Sequence, residues 1–236
     1  HAPALASLID AARQAGRRTE ALQAARRIDA LPGRPFSHFA APWRAALEGR
    51  GDDALALASR WPEGMGGDPQ RQLRFAELAL EAGQLQAAKQ GLSIAVANDP
   101  QDPRAWFLLG KAAILSGDAR TAVEDPLVRA LVLFKRARHQ RGEAETANAL
   151  GVAYARLGQI DDAEKQYANA LVLRRGLGDR RGTASSLRNL AQIDLFRGRH
   201  ADAAERLEEA GRLFTELGDD AGRAAVENEF GLLHEE

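Results

Sequence analysis

The sequence predicts an all-α protein, a solenoid of antiparallel helix pairs. Three observations carry this: a composition dominated by helix formers, a 40-residue internal repeat, and glycines placed where helices should end. Of 236 residues, 48 are Ala and 31 are Leu, whereas Phe, Trp and Tyr together make up 6%. Gly142, Gly182 and Gly222 stand 40 residues apart, as do Leu150, Leu190 and Phe230, and Ala144, Ala184 and Ala224. Gly158 recurs as Gly198, Ala163 as Ala203, Ala170 as Ala210, and Leu177-Gly178-Asp179 as Leu217-Gly218-Asp219.

Residues 1–61 read as divergent helix pairs. Gly16 and Gly51 are 35 residues apart there, Leu31–Pro35 is a two-proline turn, and the spacing after Gly51 is two residues short. The Gly/Pro-rich segment Trp61–Pro69 interrupts the helical pattern, and its centre, 62–68, predicts a boundary with a regular array over 69–236. The array divides into repeats near 69–102, 103–141, 142–181 and 182–221, with a shortened one at 222–236. The period is 34 from Gly83 to Gly117 but 41 from Gly117 to Gly158. The extra residue falls where Pro126 interrupts an apolar face of Val123, Leu127, Leu131 and Phe134. A proline inside a helix removes a hydrogen bond and clashes with the preceding turn. The backbone near 124–127 is therefore expected to be irregular, either a kink or a fresh helix with Asp125 as N-cap and Pro126 in the first position. In 142–181, Ala147, Leu150, Tyr154 and Leu157 mark the inner face of a first helix that Gly158 ends. Asp161 is expected to help start the second helix, whose inner face is Ala163, Tyr167, Ala170 and Leu171. Ser185-Ser186 is expected to begin the helix after that.

Charge and motifs narrow the function. Lys and Arg number 32 against 33 Asp and Glu, a net charge of −1 that suits neither a nucleic-acid clamp nor a polybasic membrane arm. Locally the charge shifts: residues 1–50 hold 8 Arg against 4 acids, and 51–102 hold 4 basic against 8 acidic residues, an asymmetry that suits orientation of a partner but that solvated helix faces produce as easily. No apolar run spans a bilayer, no signal peptide is evident, and there is no cysteine. The expected compartment is the cytoplasm, with the periplasm as the alternative. Of the five histidines, none forms a metal-ligand pair, and His139 and His200 read as solvated turn residues. Asp52-Asp53, Asp161-Asp162, Asp219-Asp220 and Glu208-Glu209 fall mostly at helix starts, where the helix dipole favours acids. No phosphate loop or nucleophile elbow is present. The expectation is a protein without catalysis, metal or cofactor. Arg outnumbers Lys 28 to 4, which suggests a GC-rich bacterial genome. A start at His1 and a stop at His234-Glu235-Glu236 within a helical pattern read as a fragment of a longer protein.

The pattern of Trp106, Leu109, Gly110, Gly117 and Ala122, preceded by Ala88, Leu92, Ala95 and Pro100, resembles the tetratricopeptide repeat. Residues 142–222 resemble its longer form, found in kinesin light chains, cell-polarity adaptors and bacterial signalling proteins. The resemblance implies a right-handed superhelix with the first helix of each pair lining a concave groove that holds peptides. In the longer-repeat relatives, an Asn two residues before the Leu of the first helix reaches peptide backbone. The matching positions here are Asn148, Arg188 and Asn228. One turn on come Val152, Gln192 and Leu232, and in the preceding repeat Phe107 and Lys111. An Asn amide offers a donor and an acceptor to a peptide, and Arg188 suits an acidic group. The competing reading is that these residues hydrogen-bond the neighbouring repeat. Trp106 matches a packing position, which leaves Phe107 as the more exposed of the pair. Trp43 and Trp61 are assigned to core or loop packing.

The expected function is that of a peptide- or protein-binding scaffold in the regulatory part of a larger bacterial signalling protein, a Ser/Thr kinase or a transcriptional regulator. One alternative is a structural module that packs on its own further domains or self-associates through Gly222–Glu236. The other is a small-molecule sensor with a pocket lined by Phe107, Tyr154 and Arg188.

Overall fold

The structure is a computed structural model that describes residues 2–14, 17–31, 37–58 and 69–234. The connection at 62–68, Trp61, Gly16 and the termini at His1 and 235–236 lie outside the described residues. Fourteen helices and no strand occur among the described residues. The protein forms two compact units, His1–Gln101 and Asp102–Glu236.

The first unit holds α1 (Ala2–Gln14), α2 (Arg18–Asp29), α3 (Ser37–Leu47), α4 (Gly51–Ala58), α5 (Pro69–Glu81) and α6 (Leu85–Asn98). Its core is Leu5, Ile9, Ile28, Trp43 and Leu78 set among alanines, which lets helices approach closely. Trp43 thus packs in the core, as expected. The Arg18 guanidinium donates to the Leu47 carbonyl at 2.6 Å, satisfying a carbonyl that the end of α3 leaves without a helical partner. The turn glycine between α3 and α4 is Gly49, not Gly51. Gly49, Gly83 and Gly117 all adopt positive φ (81°, 73° and 82°), a conformation that costs other residues strain. The 34-residue spacing therefore extends back through this unit, and the apparent two-residue shortfall came from choosing Gly51, which opens α4.

The second unit holds α7 (Pro103–Leu115), α8 (Ala119–Glu124), α9 (Pro126–Arg136), α10 (Gln140–Arg156), α11 (Ile160–Gly176), α12 (Arg180–Phe196), α13 (His200–Glu216) and α14 (Asp220–His234). α7, α10, α12 and α14 are first helices. α11 and α13 are second helices, and α8 with α9 make one second helix broken in two. At the break Asp125 lies at φ −143°, ψ −66°, and Pro126 takes the first position of α9. The Asp125 side chain does not cap the helix, because its carboxylate pairs with Arg129 instead. The fresh start sets Leu127, fully buried, against Gly110, where a Cβ would collide with it.

The turns between repeats are glycines at 178 and 218 with φ of 66° and 63°, but the equivalent residue before α10 is Arg138, at φ 53°. The helix after each of these turns is capped in the same register. Asp179 and Asp219 accept from the backbone N–H of Gly182 and Gly222 at 3.0 Å, and the His139 Nδ1 accepts from Gly142 at the same distance. His139 is thus a cap whose ring also lies on Phe134, not simply a solvated turn residue. Because Asp179 caps α12, Ser185 and Ser186 fall in its second turn. Asp161 makes no cap either: α11 begins after Gln159, and the Asp161 carboxylate pairs with Arg197.

Candidate interaction face of the first-helix layer

In the second unit the first helices are linked side by side through polar side chains. Arg156 on α10 donates to the Ile114 carbonyl of α7. Asn189 on α12 reaches Asn148 on α10, and Gln192 on α12 reaches Glu229 on α14. The predicted groove residues lie along this layer in different states. Lys111 and Asn228 are exposed and make no hydrogen bond or ion pair among the described residues. Phe107 is half-buried against the cluster of Ile114, Leu127 and Leu150. Trp106 is half-buried too, with the Arg129 guanidinium 4.9 Å above its ring. The Trp106–Phe107 pair therefore does not divide into a core and an exposed residue.

The other three predicted residues hold the neighbouring repeat. The Asn148 Oδ1 accepts from the Arg174 Nη1 and from the Asn189 Nδ2, each at 3.1 Å. The Gln192 Nε2 donates to the Glu229 Oε1 at 2.5 Å, and the Arg188 Nε lies 3.6 Å from the same oxygen. Glu229 is 9% exposed, and burial pushes its carboxyl above the ordinary glutamate range, against the lowering effects of Gln192 and Arg188.

Arg174, Asn189, Ser186 and Glu229 complete the arrangement; of these the sequence points only to Ser186, and to it as a helix start. Arg174 ends α11 and is 8% exposed. Its Nη1 also reaches the Gly182 carbonyl at 3.0 Å and the Ser186 Oγ at 2.8 Å, and its Nε lies 4.0 Å from the Asp179 carboxylate. Burial pulls the guanidinium pKa down, opposed by the charges of Asp179 and Glu145. One signal could have revealed it. In the 40-residue register, position 174 aligns with Phe134 and Phe214, so an Arg there falls in a core slot.

A second buried charge belongs to the packing between α12 and α13. Asp194, fully buried, lies 2.6 Å from the Arg199 Nη2 and 3.0 Å from the Arg206 Nε. Burial still raises its carboxyl above the ordinary range. Among the described residues no helix is long and apolar enough to cross a membrane.

Comparison with known proteins agrees with this architecture. Residues 142–216 match the family model of the tetratricopeptide repeat. Residues 142–216 are thus similar to tetratricopeptide repeats. No curated protein sequence matches the chain. Among solved structures, MamA from Desulfovibrio magneticus is 17% identical, with a TM-score of 0.59 over 78% of this chain and 96% of that one. Tetratricopeptide-like repeats described as a kinesin light chain, from Podospora anserina, are 18% identical, with a TM-score of 0.63 over 77% and 95%. A signal-transduction ATPase of Pyrococcus horikoshii with a tetratricopeptide-repeat sensor is 16% identical, with a TM-score of 0.69 over 88% of this chain and 34% of its own. At these identities the structures show a shared fold, that of an all-α repeat protein.

Proposed function

We propose that this repeat protein is a non-catalytic scaffold whose first-helix face in Asp102–Glu236 binds a peptide or protein segment, as the regulatory or sensory part of a larger bacterial signalling protein. The observation that carries this reading is hydrogen-bonding capacity left open at several positions along the first-helix layer. Lys111 and Asn228 have no partner among the described residues, and Asn148 uses only its oxygen. The signal-transduction ATPase, described as using such repeats as a sensor, supports the signalling setting by analogy.

Selection of a random-peptide library on the full-length protein tests the reading, with the variant Asn148→Ala, Arg188→Glu, Asn228→Ala as the counter-screen. Peptides that bind the protein and lose most of their affinity on the variant are expected. Peptides held equally by both would remove the face from the function, and so would the absence of any enriched peptide.

One observation favours a second reading, self-association through α14. Leu207, Gly211, Val226 and Phe230 line an apolar groove between α13 and α14. Sedimentation of the protein with Thr215→Arg, an exposed residue on the rim of the groove, checks it: a dimer present in the parent and absent in the variant supports the groove as a self-contact, and a dimer kept by the variant removes it.

A further inference from the structure

Three places in the second unit have the same backbone arrangement and different side chains. The last turn of a second helix lays one side chain over a glycine in the next first helix: Phe134 over Gly142, Arg174 over Gly182 and Phe214 over Gly222. A phenyl ring fills the slot twice without any polar requirement. In the middle slot a guanidinium is almost entirely removed from water, and its Nε finds no hydrogen bond. Burying a charge in this way carries a desolvation penalty that a phenyl ring does not.

The guanidinium differs from a phenyl ring in being a donor, and it has no acceptor. The Asn148 atom facing the Arg174 Nη1 at 3.1 Å is therefore the oxygen. That oxygen in turn requires a donor from Asn189, so the Asn189 atom facing it is the Nδ2. The polarity imposed by one buried cation passes through two amides. It leaves the N–H hydrogens of Asn148 and the Oδ1 of Asn189 on neighbouring first helices. No described residue hydrogen-bonds to either, and neither is among the buried polar atoms that lack a partner.

We propose that Arg174 is a positioning residue that sets Asn148 as a donor and Asn189 as an acceptor, and that the two together hold the backbone carbonyl and N–H of an extended peptide. This rests on the reading of the first-helix face as a peptide site. In an extended peptide one residue shows its carbonyl and N–H to the same side, as it does when it exchanges both bonds with a neighbouring strand. A carboxylate would gain the donor of Asn148 but face the oxygen of Asn189, and an ammonium group would meet the reverse mismatch. The pair selects a neutral amide.

The test uses a peptide enriched on the full-length protein and lost on the triple variant. Asn148→Asp keeps the oxygen that faces Arg174 and turns the free donor into an acceptor. Arg174→Phe restores the residue of the flanking repeats. Asn148→Asp is expected to weaken binding by roughly tenfold, and Arg174→Phe by roughly fivefold, the loss of about one hydrogen bond. The melting temperature of Arg174→Phe should hold or rise. Replacing peptide amides one at a time by esters removes one N–H each. One such position should weaken binding to the parent severalfold, and Arg174→Phe should no longer distinguish ester from amide there. If Arg174→Phe lowers the melting temperature and leaves affinity unchanged, Arg174 is a packing residue and the proposal fails. If Arg174→Phe does not fold, Asn148→Asp and the ester series decide the outcome. A peptide lost on Arg188→Glu but indifferent to Asn148→Asp and to every ester overturns the pair while leaving the face a peptide site. If no peptide is enriched, both readings fall.

Discussion

The slot over Gly182 and the slots over Gly142 and Gly222 share a helix-to-glycine approach and differ in what fills them. Phe134 and Phe214 make the repeat boundary an apolar contact and nothing more. Arg174 makes the same boundary a hub of hydrogen bonds to Asn148, Ser186 and the Gly182 carbonyl. The period of the repeat sets where the helices lie, and the slot residue sets whether the surface above is packed or polarised. A repeat protein can thus place a distinct chemical site in an otherwise uniform array by changing one buried side chain.

Mutations at the slots test that contrast directly. Phe214→Ala should destabilise the protein by about 3–5 kcal/mol, the range for emptying a buried aromatic site, read as a lower urea midpoint. Gly142→Ala should follow at about 1–3 kcal/mol, because the new methyl collides with the rigid Phe134 ring. Gly182→Ala meets the flexible stem of Arg174 and the Asp179 carboxylate, which turn aside more readily than a ring, so its loss by the same measurement should be the smaller. Equal losses at the two glycines would mean that the slots do not differ as described.

The smallest effect concerns Glu229, and its sign follows from burial. Its folded carboxyl titrates above the ordinary value of 4.5, so the native state takes up a proton more readily than the unfolded state. Stability falls as pH rises through the window between the ordinary and the raised value, and the deficit persists above it. Glu229→Gln should therefore be more stable than the parent at neutral pH. The difference should shrink below the ordinary glutamate value, as measured by urea midpoints at both conditions. A gain that does not change with pH would mean that the charge of Glu229 is not what burial penalises.

Much of the architecture is legible in the sequence. Periodic Ala and Leu positions, the registered glycines and Pro126 point to helix pairs, turns and the broken second helix, because these depend on local backbone preferences. The choice of Gly51 over Gly49 shows the limit of that reading: two glycines two residues apart look alike, and only the backbone shows which one turns left-handed. Capping misled in a similar way. Ser185-Ser186 are good capping residue types, yet Asp179 already closes α12, whereas Asp161 does lie in the first turn of α11, as expected of an acid at a helix start.

The proposed site was legible in part. Register puts Asn148, Arg188, Asn228, Gln192, Lys111 and Phe107 on the first helices. Which of their atoms remain available could not be read, because that depends on partners about 26 to 41 residues away, such as Arg174 and Asn189 for Asn148 and Glu229 for Gln192. The sequence by itself determined an all-α repeat protein, the order of its helices and the period at which they recur, since helix propensity, glycine turns and proline act within a few residues. Only the tertiary structure decided that Arg174 is buried in a phenylalanine slot and that its donors orient Asn148. Burial and hydrogen-bond polarity belong to side chains that meet across helices, and a charged residue in the sequence carries no mark of whether it faces water or the core.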